Sequence, residues 1–288
     1  MQNFECERKR LILEPSISIR ALSKREKEHL LSRALSSWSL ENTMEVARHR
    51  FVATIRFTWQ KGHAQPDHRG MIEKLLTGLR LFKTGGVGAN VVYRRELKWQ
   101  PGHIVGGAER HIWILPVQGP VYTLTLREAE SLLRFWKRVY QQPLSNSAQV
   151  AIRWFNHGYQ DWIPEDRIVS FVTAFESLFL RTGDLKKRSL VSRIPRLLTN
   201  ARGRGQVERD IGDLWDLRSR VVHAEPYQAI DATRLVGTAE YYLRETIRRY
   251  IELERRLTPN THRDILRWLD DPNVDIEKQR LFPRWQAI

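Results

Sequence analysis

The sequence predicts a small α+β domain followed by an all-α helical bundle. Three observations carry that fold class: apolar spacing switches between period two and period 3.6 as far as residue 120, the strand pattern ends at Thr125, and helical runs fill the rest. The predicted domains are 1–120, an α+β domain that senses a trigger or docks a partner, and 121–288, an all-α domain.

In the first domain, Ser23-Lys24-Arg25-Glu26 has capping-box spacing and opens LSKREKEHLLSRAL, a helix with Leu30, Leu31 and Leu35 along it. FVATIRFTW alternates through Phe51, Ala53, Ile55, Phe57 and Trp59, the pattern of a half-buried strand. GMIEKLLTGLRLF returns to helical spacing through Ile72, Leu75, Leu76 and Leu79, and VVYRRELKW alternates again. HIWILPV and VYTLT, separated by Gln118-Gly119-Pro120, have the form of a hairpin. Thr125-Leu126-Arg127-Glu128 is a second capping box, starting a helix through Leu132, Leu133, Trp136 and Tyr140 that Pro143 ends. Helical spacing then recurs at 147–160, 165–181, 185–199, 206–224, 231–257 and 261–270.

The chain has 288 residues, 41% hydrophobic and 28% charged, which is material for a buried core and not the composition of a disordered chain. Its formal net charge of +15 favours anionic partners. No apolar run approaches the ~20 residues that cross a bilayer, and MQNFECERKR lacks the apolar core of a signal peptide, so a cytoplasmic, membrane-free protein is expected. The single cysteine, Cys6, excludes an internal disulfide and a cysteine-based zinc site, and it stands in what reads as a mobile charged terminus.

Within 206–224, Ile211, Leu214, Trp215 and Val222 fall in one sector of a helix, and Arg218 lies inside that sector. A guanidinium on a buried face costs several kcal/mol unless something meets it. Two partners are open: a carboxylate from a neighbouring helix, with Glu176 the best candidate beside the stripe Ile168, Phe171, Phe175, Leu178 and Phe179, or an anionic ligand whose phosphate suits the guanidinium fork. His223 follows five residues later, in the closing turn, because Pro226 disfavours helix at Glu225. Five residues of helix leave Arg218 and His223 roughly 140° apart, so one copy cannot join them in a compact site, whereas two copies packed about a two-fold axis can.

LWDLRSRVVHAEP, residues 214–226, resembles the R-x4-H signature of the HEPN superfamily, with Arg218 and His223 as the signature pair. AIRWFNHGYQDWIPEDRIVSFVTAFESLFL, residues 151–180, is similar to the segment preceding the motif in the ApeA-like HEPN branch, where an A-x-E-x-L pattern corresponds to Ala174, Glu176 and Leu178. LVSRIPRLL resembles the following helix of that branch, with Arg193 at its basic position. Ser219 stands where many members carry a small polar or acidic residue, and Ala224 where glycine is common. The likeness spans roughly residues 125–257.

The resemblance implies a HEPN-like bundle that dimerises through its motif helices and, in many members, a metal-independent endoribonuclease or toxin of prokaryotic antiviral defence. It makes Arg218 and His223 the expected catalytic residues, with Glu176, Ser219 and Arg193 supporting them. RNA supplies its own 2′-hydroxyl nucleophile, so no cofactor or metal is required. The expected partners are RNA, a second copy in a homodimer and a further defence-system protein. The alternative is a non-catalytic dimerising, nucleic-acid-binding subunit.

Other motifs lead elsewhere. GGVGAN, residues 85–90, lacks the ending of a phosphate loop and is expected to be a turn into the strand at Val91. His63, Asp67 and His68 are expected in an exposed loop, and KKRS at 186–189 and ARGRGQ at 201–206 in solvated basic loops. Trp38, Trp59, Trp99 and Trp113 are expected in a core or between domains.

Overall fold

The computed structural model describes residues 4–28, 50–55, 67–88, 91–95, 106–110, 120–140, 143–199, 203–257, 262–271 and 273–281. The described residues are mostly helical, with strands confined to the N-terminal part. The chain divides into two compact units, Met1–Gln141 and Gln142–Ile288, later than the boundary near residue 120 that the strand pattern suggests.

The first unit contains β1 (Phe4–Cys6), β2 (Arg10–Glu14), β3 (Ile17–Ala21), β4 (Phe51–Ile55), α1 (His68–Phe82), β5 (Val91–Arg95), β6 (Gly106–Arg110), β7 (Tyr122–Leu124) and α2 (Leu126–Tyr140). β2, β3 and β4 form an antiparallel sheet in that order, and β5 pairs antiparallel with β6. β7 pairs in parallel with β1; 111–117, the expected hairpin partner, lies outside the described residues. Alternation along β2 and β3 buries Leu11, Leu13, Ile17 and Ile19 in one core with residues of α1 and α2. α2 belongs to this unit because Ala129, Leu132 and Trp136 complete that core, while the Trp136 indole N–H donates to Glu14 (3.0 Å), which also accepts from Lys74 (2.7 Å).

Both capping boxes are present. Ser23 and Glu26 exchange hydrogen bonds at the start of a helical turn at 24–28, as do Thr125 and Glu128 at the start of α2. From Phe4 the chain is strand rather than a mobile tail: Cys6 lies half-buried in β1, and burial pushes its thiol pKa up. Gly85–Gly88 are buried, and the Gly86 N–H donates to the Pro120 carbonyl. Asp67 is the N-cap of α1, accepting from the Gly70 N–H (2.8 Å), rather than part of a loop. Leu30, Leu31, Leu35, His63, Trp38, Trp59, Trp99 and Trp113 lie outside the described residues.

The second unit is helical: α3 (Asn146–Gln160), α4 (Pro164–Phe179), α5 (Lys186–Leu198), α6 (Arg204–Val222), α7 (Ala229–Leu257), α8 (His262–Asp270) and α9 (Val274–Leu281). α4 is central, touching α3, α5, α6 and α7, and its stripe Ile168, Phe171, Phe175, Leu178 and Phe179 is buried throughout. The basic stretches expected as loops are in part helical: 186–189 is the first turn of α5, and α6 begins at Arg204.

α3 and α4 approach closely at Gly158, where a Cβ would stand 2.2 Å from Cε1 of the buried Phe171 ring. Gly158→Ala is therefore expected to destabilise the protein by about 1–3 kcal/mol through overpacking. The urea midpoint of the variant checks this; an unchanged midpoint refutes the close contact.

Candidate functional site

The site is built on α6. Val207, Ile211, Leu214 and Leu217 are buried and seat the helix on the bundle. Arg218 follows on the edge of that side, with its side chain 19% exposed. Its Nη2 stands 3.6 Å from Oε1 of Glu176 on α4, itself 17% exposed, which is ion-pair range but beyond a hydrogen bond. Neither Arg218 Nε nor Glu176 Oε1 has a hydrogen-bond partner among the described residues. On the other side, the Arg218 guanidinium carbon lies 5.4 Å from the centre of the Trp215 ring, a cation–π distance. Trp215 thus serves Arg218 directly; its i, i+3 spacing was the available sequence signal, but apolar periodicity assigned it to the core stripe.

His223 is the C-cap of α6 and is exposed. Its N–H donates to the Ser219 carbonyl (3.0 Å), the role of Ser219 at this helix end. Ala224 takes the left-handed conformation, φ 53°, its N–H reaching Val221 O (3.3 Å), while Glu225 N–H reaches Arg220 O (2.8 Å). These two bonds make a Schellman ending with alanine where glycine is usual. Val222, expected in the buried stripe, is 49% exposed, because it is the last helical residue. Arg218 therefore faces Glu176 while His223 stands in solvent: within one chain the two are not joined into a site.

Arg193 is different. It is buried, its Nε and Nη2 donate to Asp270 (2.8 and 2.9 Å), and its Nη1 donates to Asp184 and the Phe179 carbonyl. These bonds tie the end of α4, the following loop, α5 and α8 together, so Arg193 is a structural residue that no ligand reaches. Burial acts to raise the Asp184 pKa, but hydrogen bonds from Arg193 and the Arg181 N–H outweigh it and hold the carboxyl below its ordinary value.

Among the described residues, no group of three or more His, Cys, Asp or Glu side chains is arranged to hold a metal ion, and no helix is long and apolar enough to cross a membrane. No family model, curated protein or solved structure matches the chain.

Arg193→Ala leaves Asp184 with Arg181 alone and takes two hydrogen bonds from Asp270, and is expected to lower stability by roughly 3 kcal/mol. The native Asp184 contribution is present above the ordinary aspartate pKa of ~3.9 and lost as pH falls through the depressed folded value. Urea melts of both proteins from neutral to acid pH should therefore show the difference narrowing in acid; a constant gap refutes the pairing. Ala224→Gly relieves the left-handed strain and should stabilise by about 1 kcal/mol in thermal melts.

Proposed function

We propose that the protein is a metal-independent endoribonuclease of the HEPN type, acting in prokaryotic defence as a homodimer whose motif helices pair about a two-fold axis. The observation that carries this reading is the state of Arg218: a half-buried guanidinium, steadied by Trp215 and Glu176, that makes no hydrogen bond among the described residues. With Nη2 meeting Glu176 only at 3.6 Å, the terminal nitrogens keep donor capacity for a phosphate oxygen. The exposed His223 at the end of the same helix and the net charge of +15 support the same reading.

In the reaction, the RNA 2′-oxygen attacks the adjacent phosphorus, the bond to the 5′-oxygen breaks, and a 2′,3′-cyclic phosphate and a 5′-hydroxyl result. One copy's His223 takes the proton from the 2′-hydroxyl, and the other copy's imidazolium gives one to the departing 5′-oxygen. Arg218 balances the charge that builds on the phosphoryl oxygens. Glu176 and Trp215 act as positioning residues.

Purified protein should cleave total RNA in EDTA, leaving those ends. Arg218→Ala and His223→Ala should each lower the rate by at least about 100-fold, the scale of losing one acid–base or charge-stabilising group, while the dimer persists in sedimentation. Undiminished cleavage by the double alanine variant refutes the proposal, and salt-sensitive RNA binding without any cleavage replaces it with a binding subunit.

A further inference from the structure

The outer face of α3 sets a guanidinium, an imidazole and an indole side by side. The opposite face of this helix is its buried one, formed by Ala148, Ala151, Phe155 and Gly158. Arg153 lies roughly 160° around the helix from both Ala151 and Phe155, and it is exposed. His157 follows one turn later, roughly 40° from Arg153, and is exposed as well. The half-buried Trp154 lies roughly 60° on the other side of His157. Its ring touches the imidazole, with centres 5.4 Å apart and planes inclined at 38°.

Nothing in the fold occupies the charge. Arg153 makes no hydrogen bond or ion pair through its side chain among the described residues. It is the one arginine or lysine of α3, which contains no aspartate or glutamate to oppose it. Carboxylates next to the helix are engaged elsewhere: Asp161 accepts from Ser170 (2.9 Å), Glu240 accepts from Tyr159 (2.7 Å), and Glu254 bonds to Ser145.

We infer that this face of α3 is a nucleotide subsite for an unpaired RNA strand, in which Trp154 stacks a base while Arg153 and His157 hold an adjoining phosphate. This rests on the nucleic-acid substrate proposed above and concerns nucleotides outside the scissile linkage. Residues three and four apart on a helix stand about 5–6 Å apart at Cβ, so a single nucleotide can meet all three side chains. The pairing of a flat ring with a permanent cation matches a base joined to its phosphate. A free inorganic anion makes no use of the indole, and a duplex keeps its bases stacked on one another, whereas an unpaired strand can splay one out. Stacking and phosphate contact both supply affinity without choosing sequence.

The test uses the full-length His223→Ala protein, so that binding is measured without cleavage. Two fluorescein-labelled probes are compared by anisotropy across potassium chloride concentrations: a single-stranded RNA of mixed sequence and an abasic ribose-phosphate strand of equal length. Adding Arg153→Ala should weaken binding of both probes about 5-fold at ~0.1 M salt and flatten the slope of log affinity against log salt by about 0.7. Trp154→Leu should weaken the RNA by about 5- to 100-fold while leaving the abasic strand and the salt slope unchanged, and Trp154→Phe should restore most of the RNA affinity. Arg263→Ala, which removes an exposed charge of α8, should keep the original slope. Binding of neither probe, an unchanged slope in Arg153→Ala, the same flattening in Arg263→Ala, or equal loss of both probes in Trp154→Leu overturns the subsite. Should Trp154→Leu fail to fold, the Arg153→Ala slope decides alone. Failure of the ribonuclease reading appears separately, as absence of cleavage by the wild-type protein, and leaves the probe results standing as properties of a binding subunit.

Discussion

A guanidinium removed from water must be met by carboxylates or carbonyls, and the helical unit depends on meeting several. Glu240 of α7 accepts from Arg244 (3.0 Å), from Tyr159 of α3 (2.7 Å) and from Arg167 of α4 (3.5 Å), while Arg167 also donates to the Gly158 carbonyl. Arg193 does the same for α4, α5 and α8 with all three of its nitrogens. These hubs fix how the helices cross, because Glu240 of α7 is joined to α3 and α4, and Arg193 of α5 to α4, the following loop and α8, so that none can slide without stranding a charge. Arg218 sits in the same bundle and departs from the pattern, with one distant carboxylate and an orphaned Nε.

The end of α6 follows a second constraint. Helical carbonyls left without partners must be closed, and the chain closes Arg220 and Val221 with the N–H groups of Glu225 and Ala224. That closure requires a left-handed residue, and alanine accepts it at some cost in stability. The result stops the helix at Val222 and leaves His223 projecting beside an open connection in which 223–228 are all exposed. The local strain and the exposure of the imidazole are thus one feature of the backbone.

The long helices were legible in the sequence because their apolar spacing is regular, and both capping boxes because their chemistry is local. β1, β2 and β3 were not: they are only three to five residues long, set among the charges of ECERKR, and their alternation through Leu11, Leu13, Ile17 and Ile19 is broken at the turn after Glu14. α9 escaped because its apolar positions are few. The division after α2 was hidden too, since nothing local tells which core Trp136 joins. In the site, periodicity located Arg218 and Glu176 together, and the turn logic of Pro226 placed His223 at the helix end. Periodicity could not separate Arg193 from Arg218, since both are arginines on inner faces; only their partners distinguish them. Nor could it assign Trp215, whose ring lies against the guanidinium rather than wholly within the core.

The contrast between the two arginines bears on why Arg218 is there at all. A buried donor without a partner costs about 1–3 kcal/mol, and apolar residues of similar size commonly replace a poorly satisfied buried pair without loss of stability. A bundle selected only to hold together gains nothing from a guanidinium that Glu176 meets at 3.6 Å, when Arg193 shows that the same fold can satisfy one completely. The buried Nε is closed to a group from outside the chain, and only the terminal nitrogens, 3.6 Å from Glu176, keep donor capacity for one. Because Arg218 looks inward to α4 while His223 looks out, a partner that engaged both would have to lie where two surfaces meet; the proposed two-fold contact, in which residue i of one copy meets residue j of the other and j meets i, would provide such a place.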